Sequence, residues 1–296
     1  MLRWVSLGKF LGSHIYCLGN ANHDNSRKVQ VNVSRAMPEP PVPRESSRKI
    51  PALLLTVLLS IVLIFVFVVV FLHSASPPSR QMSSSNWSGF SVVSNLNDPQ
   101  PRFTMVNASW TIPTVKVSVD NSFSAEWIGL GGQFEQTQTL IQAGVEQNSI
   151  GGQTTYRAWY ELVPRTIVSI NSLSISPGDR ITASISLADP GTNTWNVEIR
   201  DGTNGQFFSR NLVYSASALS AEWIVERPTV ARRSETLADF GQVTFTDCGA
   251  TLNGKDGTIS SFASNRITMY DDQNRQLVDV SNLLQDGSSF IVGFLE

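Results

Sequence analysis

The three histidines of this chain, His14, His23 and His73, all precede residue 85, so any chemistry beyond that point rests on carboxylates, carboxamides and hydroxyls. That distribution excludes a Ser-His-Asp triad, a Cys-His dyad and histidine-based zinc chemistry from residues 86–296. The candidates sit on short alternating segments. In Ala221-Glu222-Trp223-Ile224-Val225-Glu226 a period of two puts Glu222, Ile224 and Glu226 on one face, with Trp223 and Val225 on the other. In LIQAGVE, Gln142 shares a face with Leu140 and Gly144, and Glu161 lies in YRAWYELVP. A carboxylate held on a strand could take a proton from water as general base and return it as general acid. A carboxamide could donate to an oxyanion, a contribution of roughly 3–4 kcal/mol when well aligned. Taken alone, a Glu or Gln alternating along a strand reads as solvent-facing, and Glu126 and Glu226 read as surface charges.

The elements that must position these groups are strands. From Asn86 onward, runs such as NWSGFSVV, FTMVNASWTIP, RITASISLAD and TWNVEIRDG recur between Gly, Asn, Asp and Pro clusters, and Ser, Thr, Val, Ile and Trp dominate them. Turn signals fall at Pro177-Gly178-Asp179, Asp189-Pro190-Gly191-Thr192 and Asp201-Gly202-Thr203. Beyond residue 85 there is no sustained helical stripe and no repeat of fixed period, which predicts an all-β sandwich or barrel. A phosphate-binding glycine loop and a basic patch for nucleic acid are both missing from the sequence, so no cofactor, metal or nucleic-acid partner is expected.

Ahead of that region, Pro51 to Leu72 runs 22 residues without a charge, long enough as a helix to span a hydrocarbon core of about 30 Å. Residues 1–50 hold eight Lys or Arg against three acids, so the positive-inside rule places that tail in the cytoplasm. The expected organisation is a disordered cytoplasmic tail over 1–50, a transmembrane helix over 51–72, a linker over 73–85 and a monomeric outer domain over 86–296. The alternative for the apolar run is a signal segment whose cleavage would make the domain secreted. Cys17 and Cys248 fall on opposite sides of the expected membrane, so the outer domain would hold together without an internal disulfide, with Cys248 a buried apolar residue.

Several segments together resemble the glutamic peptidases, or eqolisins. NWSGF (86–90), WIGLGG (127–132), LIQAGVE (140–146), YRAWYELVP (156–164), AEWIVERP (221–228) and DFGQVTFTDC (239–248) follow the family's order across residues 85–296. The resemblance implies a bent, concanavalin-like sandwich of two antiparallel sheets, about seven strands each, with the active site on the concave face. It implies an acid endopeptidase acting on polypeptide substrates, with Glu222 as general base and acid and Gln142 as oxyanion stabiliser. Trp127 and Glu161 match positions expected to support the site or bind substrate, Trp127 as a subsite wall. Trp159 and Trp223 are expected in the core. Gly131 and Arg157 depart from the family pattern, which carries acids there; both remove negative charge near the site.

Two other classes compete. A β-sandwich glycoside hydrolase would use Glu161 and Glu222, with carboxyl groups about 5–5.5 Å apart for retention or ~6.5–9.5 Å for inversion. A surface binding module would need neither Gln142 nor Glu222. Gln142 separates the classes, since a glycosidase has no use for it.

Overall fold

The alternating runs form strands, and their turns fall where Gly, Asn and Asp cluster. The structure, a computed structural model, describes residues 56–57, 59–66, 77–94, 102–133, 139–230 and 233–295. In chain order the strands are β1 (Ser79–Ser84), β2 (Trp87–Val93), β3 (Phe103–Thr111), β4 (Ser122–Leu130), β5 (Leu140–Ile150) and β6 (Gln153–Val163). There follow β7 (Val168–Ser169), β8 (Arg180–Asp189), β9 (Thr194–Asp201), β10 (Phe207–Val213), β11 (Ser220–Glu226) and β12 (Thr229–Val230). The last are β13 (Arg233–Ser234), β14 (Gln242–Leu252), β15 (Lys255–Thr258), β16 (Ala263–Met269), β17 (Val278–Val280) and β18 (Phe290–Phe294).

Two eight-stranded sheets pack as a bent sandwich. The first runs β1-β16-β2-β11-β4-β5-β6-β7, and the second β10-β9-β8-β3-β14-β18-β17 with β15 beside β14. All pairs are antiparallel except the edge pair β1 and β16, which is parallel. Ser79–Ser84, within the segment read as a linker, therefore supplies an exposed edge strand.

The strands of the first sheet bury both faces, and this doubles what the sequence must satisfy. One face meets the second sheet in the main core, where Ile128, Ile141, Val145, Trp223 and Val225 pack against Val106, Ile185, Val197 and Phe245. Each such fully buried large aliphatic or Phe side chain stabilises the fold by roughly 1.5–3 kcal/mol relative to exposure. The other, concave face carries a smaller cluster of Ala125, Trp127, Leu140, Trp159, Ile224 and Ile267, flanked by Trp87 and Val163. Gly144 makes room for it: a Cβ there would lie 2.1 Å from the carbonyl oxygen of Glu126 and 2.6 Å from Cβ of Trp127.

The transmembrane expectation is corrected. Among the described residues no helix is long and apolar enough to cross a membrane. Within the apolar run the described helical residues are 56–57 and 59–66. Membrane partnership, single-pass topology and the localisation drawn from them fall with it; uncharged length is a necessary condition for a span and does not by itself produce one. The tail over 1–50 lies outside the described residues.

Candidate active site

A single polar row crosses the concave face of the first sheet. Pairing register sets Asn265 opposite Ser91, Ser91 opposite Glu222, Glu222 opposite Gly129, Gly129 opposite Gln142, and Gln142 opposite Glu161. Paired residues share a face, so these side chains project together from β16, β2, β11, β5 and β6. Gly129 on β4 contributes no side chain between Gln142 and Glu222, whose α carbons are two strand spacings apart, roughly 10 Å. Glu222 and Glu161 are separated by three spacings, roughly 14 Å, with Gln142 between them. That arrangement does not suit a glycosidase carboxylate pair.

Glu222 is fully buried. Its Oε1 accepts hydrogen bonds from the backbone amides of Gly132 at 3.1 Å and Gln133 at 3.2 Å. Among the described residues Oε2 has no partner. Burial pushes its carboxyl up to about 8, opposed by the Ser220 hydroxyl and the Gln133, Gly132 and Gly131 amides. The turn that delivers these amides needs Gly131: its φ is +105°, and a Cβ would lie 2.8 Å from the carbonyl oxygen of Thr139. A side chain at this position would strain the backbone as it is folded here.

Gln142 is 6% exposed, and its Nε2 donates to Oε2 of Glu161 at 2.6 Å. One of its two N–H bonds remains, and among the described residues Oε1 has no partner. Glu161 is half-buried; burial raises its carboxyl, and the bond from Gln142 lowers it. Beside the pair opens a cleft of about 690 Å³ lined by Gln142, Glu161, Glu226, Trp87, Leu140 and Val163, among others. Glu222 is not among the residues that line this cleft.

Trp127 is fully buried and does not reach the cleft; Trp87 packs edge-on against it, ring centroids 5.0 Å apart, and forms the wall. The Trp127 indole Nε1 donates to Oε2 of Glu226 at 2.7 Å, and Asn86 Nδ2 donates to Oε1 at 3.2 Å. Glu226, read as a surface charge, is therefore a half-buried cleft residue. Burial pushes it up to about 7, with the Trp127, Trp87 and Asn86 donors opposing and the Glu161 charge adding. The alternation that groups it with Glu222 was the available signal. Glu126 is not at the surface either: it is fully buried on the main-core face, bonded by Gln147, and pushed up to about 8 by burial. Its position in register with Ile128 and Leu130 marked that face. Trp223 lies in the main core, its Nε1 donating to Asn107 at 2.8 Å, while Trp159 is buried in the concave-face cluster. Arg157 pairs with Glu146, and Cys248 is buried and free. Among the described residues no group of three or more His, Cys, Asp or Glu could hold a metal.

The family model described as the Peptidase A4 family matches residues 85–292. Aspergillopepsin-2 from Aspergillus niger is 29% identical over 194 residues, covering 58% of this chain and 66% of that protein, just under two thirds of its length. Scytalidopepsin B from Scytalidium lignicola is 26% identical over 221 residues, covering 69% of this chain and 79% of that protein. A crystal structure of scytalido-glutamic peptidase with a transition state analog inhibitor superposes at a TM-score of 0.60 with 22% identity, over 72% of this chain and 99% of that one, a likeness of fold. Aspergilloglutamic peptidase from Aspergillus niger superposes at 0.52 with 28% identity, over 59% and 99%. The chain belongs to the Peptidase A4 family, the glutamic peptidases.

Proposed function

We propose that residues 86–296 hydrolyse internal peptide bonds of polypeptides in acid, with Glu222 as general base and then acid and Gln142 as oxyanion stabiliser. The observation that supports this reading is the shared row: two side chains on one face, each with an uncommitted polar atom, and no side chain at Gly129 between them. Glu222 Oε2 accepts a proton from water as the water oxygen bonds to the scissile carbonyl carbon. The carbonyl oxygen becomes an oxyanion, and the free N–H of Gln142 donates to it. Collapse of the tetrahedral species breaks the C–N bond, and the proton held by Glu222 moves to the leaving nitrogen. The base must be ionised to start. Burial opposes this, the turn amides on Oε1 favour it, and the attacking water favours it again by donating to Oε2.

Glu161 acts here as a positioning residue. By accepting from Nε2 it sets which end of the Gln142 carboxamide carries donors into the cleft.

The test is digestion of an unfolded protein across the acid range by wild type, Glu222→Gln and Gln142→Ala, with pepstatin in a parallel arm. Expected are cleavage by wild type, none by Glu222→Gln, and a kcat about 10²–10³ lower for Gln142→Ala. Pepstatin should leave the wild type active, because the pair is not an aspartate dyad. Full activity in Glu222→Gln, or strong pepstatin inhibition, would sink the assignment.

A further inference from the structure

The two amides on Oε1 of Glu222 come from a turn that opens with Gly131 and Gly132, and backbone freedom of that kind works against a fixed pair of donors. What fixes them is the side chain that follows. Oε1 of Gln133 accepts from the Ser91 hydroxyl at 2.6 Å, and Ser91 Oγ accepts from Asn265 Nδ2 at 3.2 Å. The Gln133 amide also reaches Ser220 Oγ at 3.2 Å, and Nε2 lies 3.5 Å from Met82 Sδ. Ser91 is fully buried and Asn265 is 6% exposed, so neither bond competes freely with water. Both occupy the row that carries Glu222, on the adjoining strand β2 and the next one, β16, so the sheet ladder sets their distance from the carboxyl.

We propose that Asn265 and Ser91 are positioning residues for the reaction: through Gln133 they pin the Gly132 and Gln133 amides on Oε1 of Glu222 and leave Oε2 as the oxygen that meets water. The inference rests on Glu222 being the general base. Neither residue touches a reacting atom.

Hydrogen bonds donated to a carboxylate favour its ionised form, so loosening them makes the base harder to ionise. The other titratable groups on this face are Glu226 on β11, Glu161 and Arg157 on β6, Glu146 on β5 and Arg80 at the β1 edge. The groups that act on Glu222 itself are hydrogen-bond donors, with burial opposing them. The acid limb of the rate profile therefore reports the turn, and the turn reports Ser91.

Ser91→Ala and Gln133→Ala in the full chain, assayed for kcat and KM against pH, provide the test. Ser91→Ala removes the anchor inside the sheet, and Gln133→Ala removes it on a half-buried turn with no core to disturb. Both are expected to lower kcat about tenfold with KM within about twofold of wild type, and to move the acid limb up by about one pH unit. A purely structural role would lower activity without moving the limb. If wild type cleaves and both variants keep the wild-type acid limb, the proposal is overturned while the peptidase reading stands. If wild type itself cleaves nothing, the peptidase reading falls and takes this inference with it.

Discussion

Gln142 and Glu161 face each other in register on β5 and β6, and the carboxamide nitrogen of the first is bonded to the carboxylate of the second at 2.6 Å. A carboxamide has a donor end and an acceptor end, and a carboxylate, which only accepts, holds the donor end. Glu161→Ala frees the amide to rotate and should lower kcat about tenfold with little change in KM. Glu161→Gln should also lose activity, because the new amide can donate to Oε1 of Gln142 and invert it. Steady-state kinetics on a single peptide checks both; a change confined to KM would assign Glu161 to substrate binding instead.

Two buried or half-buried carboxyls away from the general base bear on stability. An unfolded glutamate titrates near 4.5, whereas burial holds Glu126 at about 8 and Glu226 at about 7. Between these values the unfolded chain has released protons that the folded chain keeps, so stability falls as pH rises from 4.5 through 7 and 8. Below 4.5 the penalty vanishes. Glu126→Gln removes one share of it away from the cleft. Its melting temperature should match wild type in acid and exceed it by several degrees at neutral pH, read by calorimetry across pH. An unchanged slope in Glu126→Gln would refute the attribution.

The concave face also has a steric weak point. A methyl group at position 144 would lie 2.1 Å from backbone oxygen that the strand cannot move without breaking its ladder. Gly144→Ala should destabilise by about 1–3 kcal/mol or more and displace Trp127, the donor to Glu226. A shift in the denaturant midpoint, with indole fluorescence as probe, measures it.

Period two along Ala221–Glu226 placed Glu222 and Glu226 on one face, and along Ser122–Leu130 it placed Glu126 with Ile128 and Leu130; the reading of Glu226 and Glu126 as surface charges failed because alternation tells which side a residue takes and not whether that side is wet. Here both sides of the first sheet are covered, one by the second sheet and one by the tryptophan cluster. Sheet order lay beyond the sequence. That β11 runs between β2 and β4, and so aligns Ser91, Glu222 and Gln142, follows from pairing between segments about ninety to a hundred and thirty residues apart, which no local pattern encodes. Glu161 and Gln142 were legible as strand residues of suitable chemistry, but their mutual bond was not. The apolar run over 51–72 was legible only as hydropathy, and among the described residues no helix is long and apolar enough to cross a membrane.

The buried acids make the folded domain a sink for hydrogen ions. A chain that refolds near neutral pH must draw a proton out of solution to fill Glu126, so in a weakly buffered medium its folding turns the medium more alkaline. Hydrogen ion then behaves as any ligand that prefers the native state: supplying it stabilises the domain, and withdrawing it loosens the domain, with no other partner required.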